Sequence, residues 1–439
     1  VFIVLVTALL LFASSGNAVA AGSEPIERTV LPDGVRLVLK PEPATDITAI
    51  TLFIRTPRDR DVQEKACGEM VAHTLFYGST DSTRDGIAFS VAQVGGVLET
   101  LRTPDYVAVT VMTVPDQIEE TARLLGEALK HADFTPDALQ RGLRDILAAR
   151  KVQSENGFEA GAARIRTTLD TIASPTEDQL RRVTQAQAQS YFVARYVPAR
   201  TVVSVVGRFA AKSVLTAFMA YFAEYTRPAA TRQIDPAPAV TVSTPHTSET
   251  VLSATGTAGY ALIGVAAPTI DSPDAPAYIL LHALIGSGHA SRLFRNVRDT
   301  LGFGYDIGAV YRSDLPDPMI AYLQWDTQRA EIGGAVGKFT SDEALQRLNR
   351  ELDRVLTDPP DDAEIERARN VAIGRDALRH ERARDRSFFL GWYECIGVGY
   401  EFDVAFPRLL STVTRTDILR VAAKYLPQRS AVTVMPKKR

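Results

Sequence analysis

The apolar positions change period in an orderly way along the chain. Residues 34–40 (GVRLVLK) and 47–55 (ITAITLFIR) are β-rich runs on either side of Pro41-Glu42-Pro43, a strand–turn–strand pattern. A helix is predicted over 62–77 and another over 84–94, stopped by Gly95-Gly96, the usual chemistry of a helix C-terminus. Residues 97–102 and 106–114 then alternate as paired strands around Thr103-Pro104-Asp105. Ile118, Ala122, Leu125 and Leu129 fall at i, i+4, i+7 and i+11, one face of an amphipathic helix opened by Pro115-Asp116. Helices at 136–154, 158–172 and 184–195, a strand at 201–206 and a helix at 210–224 complete this stretch.

From Arg227 onward, Pro, Ala, Thr and Ser replace large apolar residues, which marks a linker over 227–249. Beyond it the same order returns: strand 258–267, helix 273–300, strands 304–311 and 318–325. Helices at 340–357, 361–382, 385–397 and 415–425 and a strand at 431–435 come after these. Leu75-Phe76 corresponds to Leu293-Phe294, and Asp137, opening a long helix, to Asp362. The expected fold is therefore α+β, in two similar halves (24–226 and 250–439), each an antiparallel-rich mixed sheet covered by helices.

Residues 1–13 (VFIVLVTALLLFA) are apolar or small throughout, and Ala18-Val19-Ala20 follows within a few residues. A short apolar core ending in A-x-A reads as a signal peptide over 1–20, cleaved after Ala20, which implies a periplasmic or secreted protein. No later segment has the roughly 20 apolar residues that a membrane span needs.

Composition narrows the chemistry. With 49 Lys+Arg against 52 Asp+Glu, the chain has no electrostatic case for binding nucleic acid. Two cysteines exclude a thiolate zinc cluster, so any metal would need His and carboxylate ligands from only six histidines. Cys67 and Cys395, one in each half, read as two buried thiols or, under oxidising conditions, as a pair. Trp325 and Trp392 read as core residues.

The segment from Gly68 to Thr80 (GEMVAHTLFYGST) resembles the signature helix of the pitrilysin/insulinase metallopeptidases, whose motif is H-x-x-E-H. Leu31-Pro32-Asp33-Gly34 resembles the family's opening strand. Gly95-Gly96, Leu101-Arg102-Thr103 and Asp105-Tyr106 resemble the segment after its motif helix. The resemblance covers both halves and implies a clam-shell peptidase fold. In the motif, two His one helical turn apart hold a zinc ion, the Glu between them activates its water, and a Glu about 75 residues on completes the ligands. Here the first His is Glu69, the catalytic Glu is Ala72, the second His is His73, and the later Glu falls at or near Ala149. Ala72 cannot take a proton from water, so no metal and no catalytic residue is expected in this chain. A makeshift site from Glu69 and His73, with Glu155 or Glu159 as third ligand, would still lack a general base. His282 and His289, seven apart, are expected to line a helix surface.

The segment from Ser291 to Tyr305 (SRLFRNVRDTLGFGY) resembles the family's C-terminal pattern, in which an Arg ends a helix, a Gly turn follows and a Tyr begins a strand. The resemblance assigns Arg298 and Tyr305 to the pair that holds the substrate backbone and the oxyanion. The plain alternative is a helix-terminal Arg and a packed strand Tyr. Arg292 and Arg295 read as solvated or helix-pairing residues. Together these features imply a non-catalytic, substrate-binding subunit of an exported heterodimeric zinc endopeptidase. Its partner would be a homologous subunit with intact H-x-x-E-H that carries the zinc, and its substrate a peptide added as a strand to a sheet edge. The alternatives are a degenerate peptidase-like scaffold with no role in hydrolysis, or a self-sufficient protease with an altered site.

Overall fold

In the computed structural model the described residues are 25–77, 86–93, 95–169, 173–226, 246–253, 257–299, 306–315, 317–327 and 340–437. The first half runs β1 (Glu27–Val30), β2 (Arg36–Pro41), β3 (Thr48–Arg55), α1 (Val62–Thr74), α2 (Gly86–Gln93), β4 (Val97–Arg102) and β5 (Tyr106–Thr113). It continues with α3 (Ile118–His131), α4 (Pro136–Glu155), α5 (Gly157–Leu169), α6 (Glu177–Arg181), α7 (Gln185–Arg195), β6 (Thr201–Gly207) and α8 (Ala211–Phe222). The second half opens on β7 (His246–Ser253), which begins inside the segment read as linker, followed by β8 (Ala258–Val265), α9 (Ala275–Gly286), β9 (Asp306–Val310) and β10 (Met319–Asp326). Then come α10 (Ser341–Thr357), α11 (Asp362–Arg379), α12 (Ala383–Ile396), α13 (Phe402–Thr412), α14 (Arg415–Tyr425) and β11 (Arg429–Pro436).

The repeat is explicit in strand order. The first sheet is β1-β2-β6-β3-β5-β4 and the second β7-β11-β8-β10-β9. Apart from β1 the two orders match strand for strand, and each holds one parallel pair, β2 with β6 and β7 with β11. Alternation along the strands gives both sheets two buried faces. In β3, Ile50, Leu52 and Ile54 join the core beneath α1 and α3, while Ala49 and Phe53 face the second half.

The halves are interleaved by an exchange of helices. α5, from the first half, packs on β8 and β11 of the second sheet; α12, from the second, packs on β3 and β6 of the first. Small residues permit both approaches. A Cβ on Gly161 would lie 2.6 Å from Leu262, and one on Gly391 would lie 2.6 Å from the Phe53 ring. Ser387 fastens α12 through buried hydrogen bonds, with its hydroxyl 2.8 Å from that of Thr51 and donating to the Ser204 carbonyl at 3.0 Å. The result is five layers: helices, sheet, helices, sheet, helix. One core runs from the inner face of the first sheet through α12 to α9, α11 and the second sheet.

Several elements depart from the sequence reading. The helix predicted over 273–300 stops at Gly286, because Gly288 takes φ +83° and turns the chain; a π-helical turn, Phe294–Asp299, comes next. His282 and His289 therefore share no helix surface: His282 is buried within α9, and His289 is exposed beyond it. α13 is an additional helix that the apolar pattern does not predict, and it carries Pro407 in its interior. Cys67 and Cys395 are free and buried on opposite faces of the first sheet, one in each core, which excludes a bond between them. Trp325 and Trp392 are core residues. Among the described residues no helix is long and apolar enough to cross a membrane.

Candidate functional site

The degenerate motif lies on α1, which is capped by Asp61, whose carboxylate accepts from the Glu64 backbone N–H at 2.8 Å. Glu69 and His73 are one turn apart and half-buried beside α4. Ala72, between them in the motif, is buried against the core. The two helices approach closely at Gly142 of α4, where a Cβ would overlap the Thr74 hydroxyl. Ala149 is exposed, and the residue after it fills the place where a metal would be sought. Arg150 donates from Nη2 to Glu69 Oε2 at 2.6 Å and from Nη1 to the Pro175 carbonyl at 2.7 Å.

A second guanidinium stands behind the first. Arg102 on β4 donates to Asp59 at 2.6 Å, and Tyr191 of α7 donates to the same carboxylate at 3.0 Å. His73 consequently titrates low. Burial is the main cause and Arg102 and Arg150 add to it, against the opposing pull of Glu69 and Asp145. Asp145 is itself bonded to the Tyr77 hydroxyl, whose pKa burial and that carboxylate raise to about 12.

This environment does not fit zinc. A divalent cation would share the cleft with the Arg150 guanidinium, already bound to the one carboxylate of the motif, and would meet only one imidazole. Among the described residues no group of three or more His, Cys, Asp or Glu could hold a metal. The makeshift site with Glu155 or Glu159 is thereby overturned, since Glu69 is committed to Arg150.

Of the two C-terminal residues, Arg298 ends the π-helical turn, half-buried, with its guanidinium 4.6 Å over the Phe294 ring. No ion pair engages it among the described residues. Tyr305 and the Gly turn lie outside the described residues, so the pair is not described together. Arg292 is not solvated: it is buried and pairs with Glu364 of α11 at 2.7 Å while donating to the Asp358 carbonyl at 2.8 Å. It is a helix-pairing residue.

Residues 182–372 match the model of the peptidase M16 inactive domain. An uncharacterized zinc protease of Mycobacterium leprae is 23% identical over 66% of this chain and 66% of its own length. One of Streptomyces coelicolor is 23% identical over 94% of this chain and 90% of its own. The aligned region thus spans just under two thirds of the mycobacterial relative. Among solved structures, a protease from Helicobacter pylori superposes with a TM-score of 0.80 at 15% identity, covering 94% of this chain and all of that one. A peptidase M16 inactive domain from Pseudomonas fluorescens superposes with a TM-score of 0.78 at 15% identity, covering 94% and 98%. Residues 182–372 thus carry a peptidase M16 inactive domain, and the chain is similar in sequence to bacterial zinc proteases and in fold to M16 structures. It is a degenerate peptidase-like scaffold, and its mixed α+β architecture of two similar halves is the fold of those M16 structures.

Sequence reasoning missed Arg150, which stands one residue after the expected ligand position. An Arg on a helix surface carries no signal by itself; what would have found it is the question of which group neutralises Glu69 once the metal is gone.

Proposed function

We propose that this chain is the non-catalytic, substrate-binding subunit of an exported zinc endopeptidase, working with a homologous subunit that carries an intact H-x-x-E-H motif. The carrying observation is the Glu69–Arg150 ion pair: an internal cation stands where the family's metal site would be, so hydrolysis in such a pair falls to the partner's zinc. In this reading Arg298 and Tyr305 reach the partner's site and donate to the substrate carbonyl as its oxygen becomes anionic. The half-exposed Arg298, without an ion pair among the described residues, is suited to that role. Peptides or unfolded segments would bind as an added strand, so backbone hydrogen bonds would outweigh side-chain preference. The A-x-A stretch at 18–20 supports export to the periplasm or beyond.

The test is co-expression with a homologue bearing H-x-x-E-H, with peptide hydrolysis and zinc analysis of the purified pair. One zinc per pair is expected, and Arg298→Ala should lower kcat about 10²–10³-fold, the usual effect of removing one oxyanion donor. Tyr305→Phe should lower it in the same direction. Wild-type kcat in the Arg298→Ala pair would refute the catalytic-partner role and leave a scaffold without a part in hydrolysis.

A further inference from the structure

Between the halves lies a cavity of about 630 Å³, within the usual range for small-molecule sites. Its walls come from both halves: strands β4 and β5 on one side, and α9, α11, α12 and α13 on the others. It is separate from the α1–α4 cleft and from Arg298, neither of which lines it.

Most of the charge in its walls is already engaged. Arg379 donates to the buried Asp314 at 2.7 Å and lies 4.5 Å over the Phe389 ring, and Arg312 bonds the same carboxylate. Arg384 pairs with Glu99. What remains is mostly acceptor. His282, 7% exposed, has Nε2 at 2.9 Å from the Ala309 carbonyl. A carbonyl only accepts, so Nε2 carries the proton and Nδ1 presents a lone pair, without a hydrogen bond among the described residues. Burial keeps the ring neutral, with a pKa lowered to about 4. The side chains of Asp376 and Asp385, which also line the cavity, accept no hydrogen bond among the described residues; burial raises the pKa of Asp376, against the pull of the nearby His380 and Arg379. Three acceptors without a hydrogen bond among the described residues thus stand on three different helices, against one cation in the wall, the exposed Arg375, that pairs with no described carboxylate. Phe388, Phe406 and Leu410 supply an apolar surface beside them.

The half-buried carboxylates and the lone pair of the buried His282 ring offer acceptors that a ligand donor can satisfy, and an aromatic wall favours a cation attached to an apolar body. An anion would meet two carboxylates and a lone pair. We infer that this cavity binds an organic cation, an ammonium or guanidinium on an apolar body, offered either as a free amine or as the Lys or Arg side chain of a peptide.

Calorimetric titration of the full-length chain tests this with benzylamine, its neutral isostere benzyl alcohol, the anion phenylacetate, and a capped Phe-Arg dipeptide amide. Benzylamine or the capped dipeptide should saturate one site, and which of them binds distinguishes a free amine from a side chain. Benzyl alcohol should bind about tenfold or more weakly than benzylamine, and phenylacetate more weakly still. Asp376→Asn should weaken the cationic probe about tenfold without changing the alcohol. Asp385→Asn, at the start of a helix, provides the same test should the first variant fail to fold. Phenylacetate binding as tightly as benzylamine, or no saturable binding of either cationic probe up to roughly 10 mM, would overturn the inference.

Discussion

The helix pair α1–α4 of the first half and the pair α9–α11 of the second occupy matching places in the repeat, and they treat polar groups in opposite ways. In and beside the first pair the carboxylates are engaged within the chain: Glu69 by the Arg150 guanidinium, Asp145 by the Tyr77 hydroxyl, and Asp59, just before α1, by Arg102 and Tyr191. The helices meet closely enough at Gly142 to leave no room for a side chain. The second pair borders a cavity in which His282 Nδ1 and the Asp376 side chain make no hydrogen bond among the described residues. The contrast teaches how a decayed metal site is made stable. Losing three of four motif positions leaves a carboxylate and an imidazole on one helix face. Arg150 restores neutrality there, so the cleft that carries chemistry elsewhere in the family becomes a packed interface. The cleft that the motif never marked stays open.

The largest effect should come from reversing that replacement. Glu69→His, Ala72→Glu and Ala149→Glu combined with Arg150→Ala should create zinc binding measurable by competition with a chromogenic chelator. The same three changes with Arg150 retained should bind about 100-fold more weakly, because the guanidinium opposes the metal. Equal affinities would show that Arg150 does not fill the site.

Packing gives the next largest. Gly142→Leu should destabilise the fold by about 3 kcal/mol in urea denaturation, since even its Cβ overlaps Thr74. Gly374, on the counterpart helix α11 and exposed, has nothing within 4 Å of a Cβ. Gly374→Ala should therefore stabilise by about 0.5–1 kcal/mol, the smallest effect of the series. A loss at Gly374 as large as that at Gly142 would erase the distinction between the two pairs.

Between these lies a pH effect. The folded pKa of His282 is depressed from 6.5 to about 4, so between those values the unfolded chain binds more protons. Stability should fall as pH drops through this window, by at most about 1.4 kcal/mol per unit for this one group. His73 acts in the same direction. His380, raised by its contact with Asp403 at 2.7 Å, acts oppositely: its contribution is complete below 6.5 and fades as pH rises through its folded pKa. His282→Gln should flatten the acid slope of the urea midpoint more than His73→Gln, because His282 is the more buried. Below pH 4 a further loss is expected from Asp274, held down to about 2 by Lys424, Arg420 and Tyr425 despite its burial.

Much of this architecture is legible in the residues. Apolar period places most of the helices and strands, and the duplicated order of elements anticipates two sheets with one strand order. Glu69 and His73 are indeed brought to one helix face, with Ala72 turned into the core. The helix exchange is not legible: the period of α5 and α12 shows which faces are apolar but not against which sheet, and the close approach at Gly157, Gly161 and Gly391 appears only in the fold. The break after Gly286 is hidden by an apolar run on α9 strong enough to suggest continuation. Arg150 and the cavity depend on what lies opposite a residue across sequence separations of 80 or more, which no local pattern encodes.

The most direct test is the zinc content of the isolated chain after dialysis against micromolar free zinc, read by elemental analysis. The Glu69–Arg150 pairing predicts no stoichiometric metal and no loss of thermal stability on adding a chelator. One tightly held zinc per chain, released by the chelator with a fall in Tm, would contradict it.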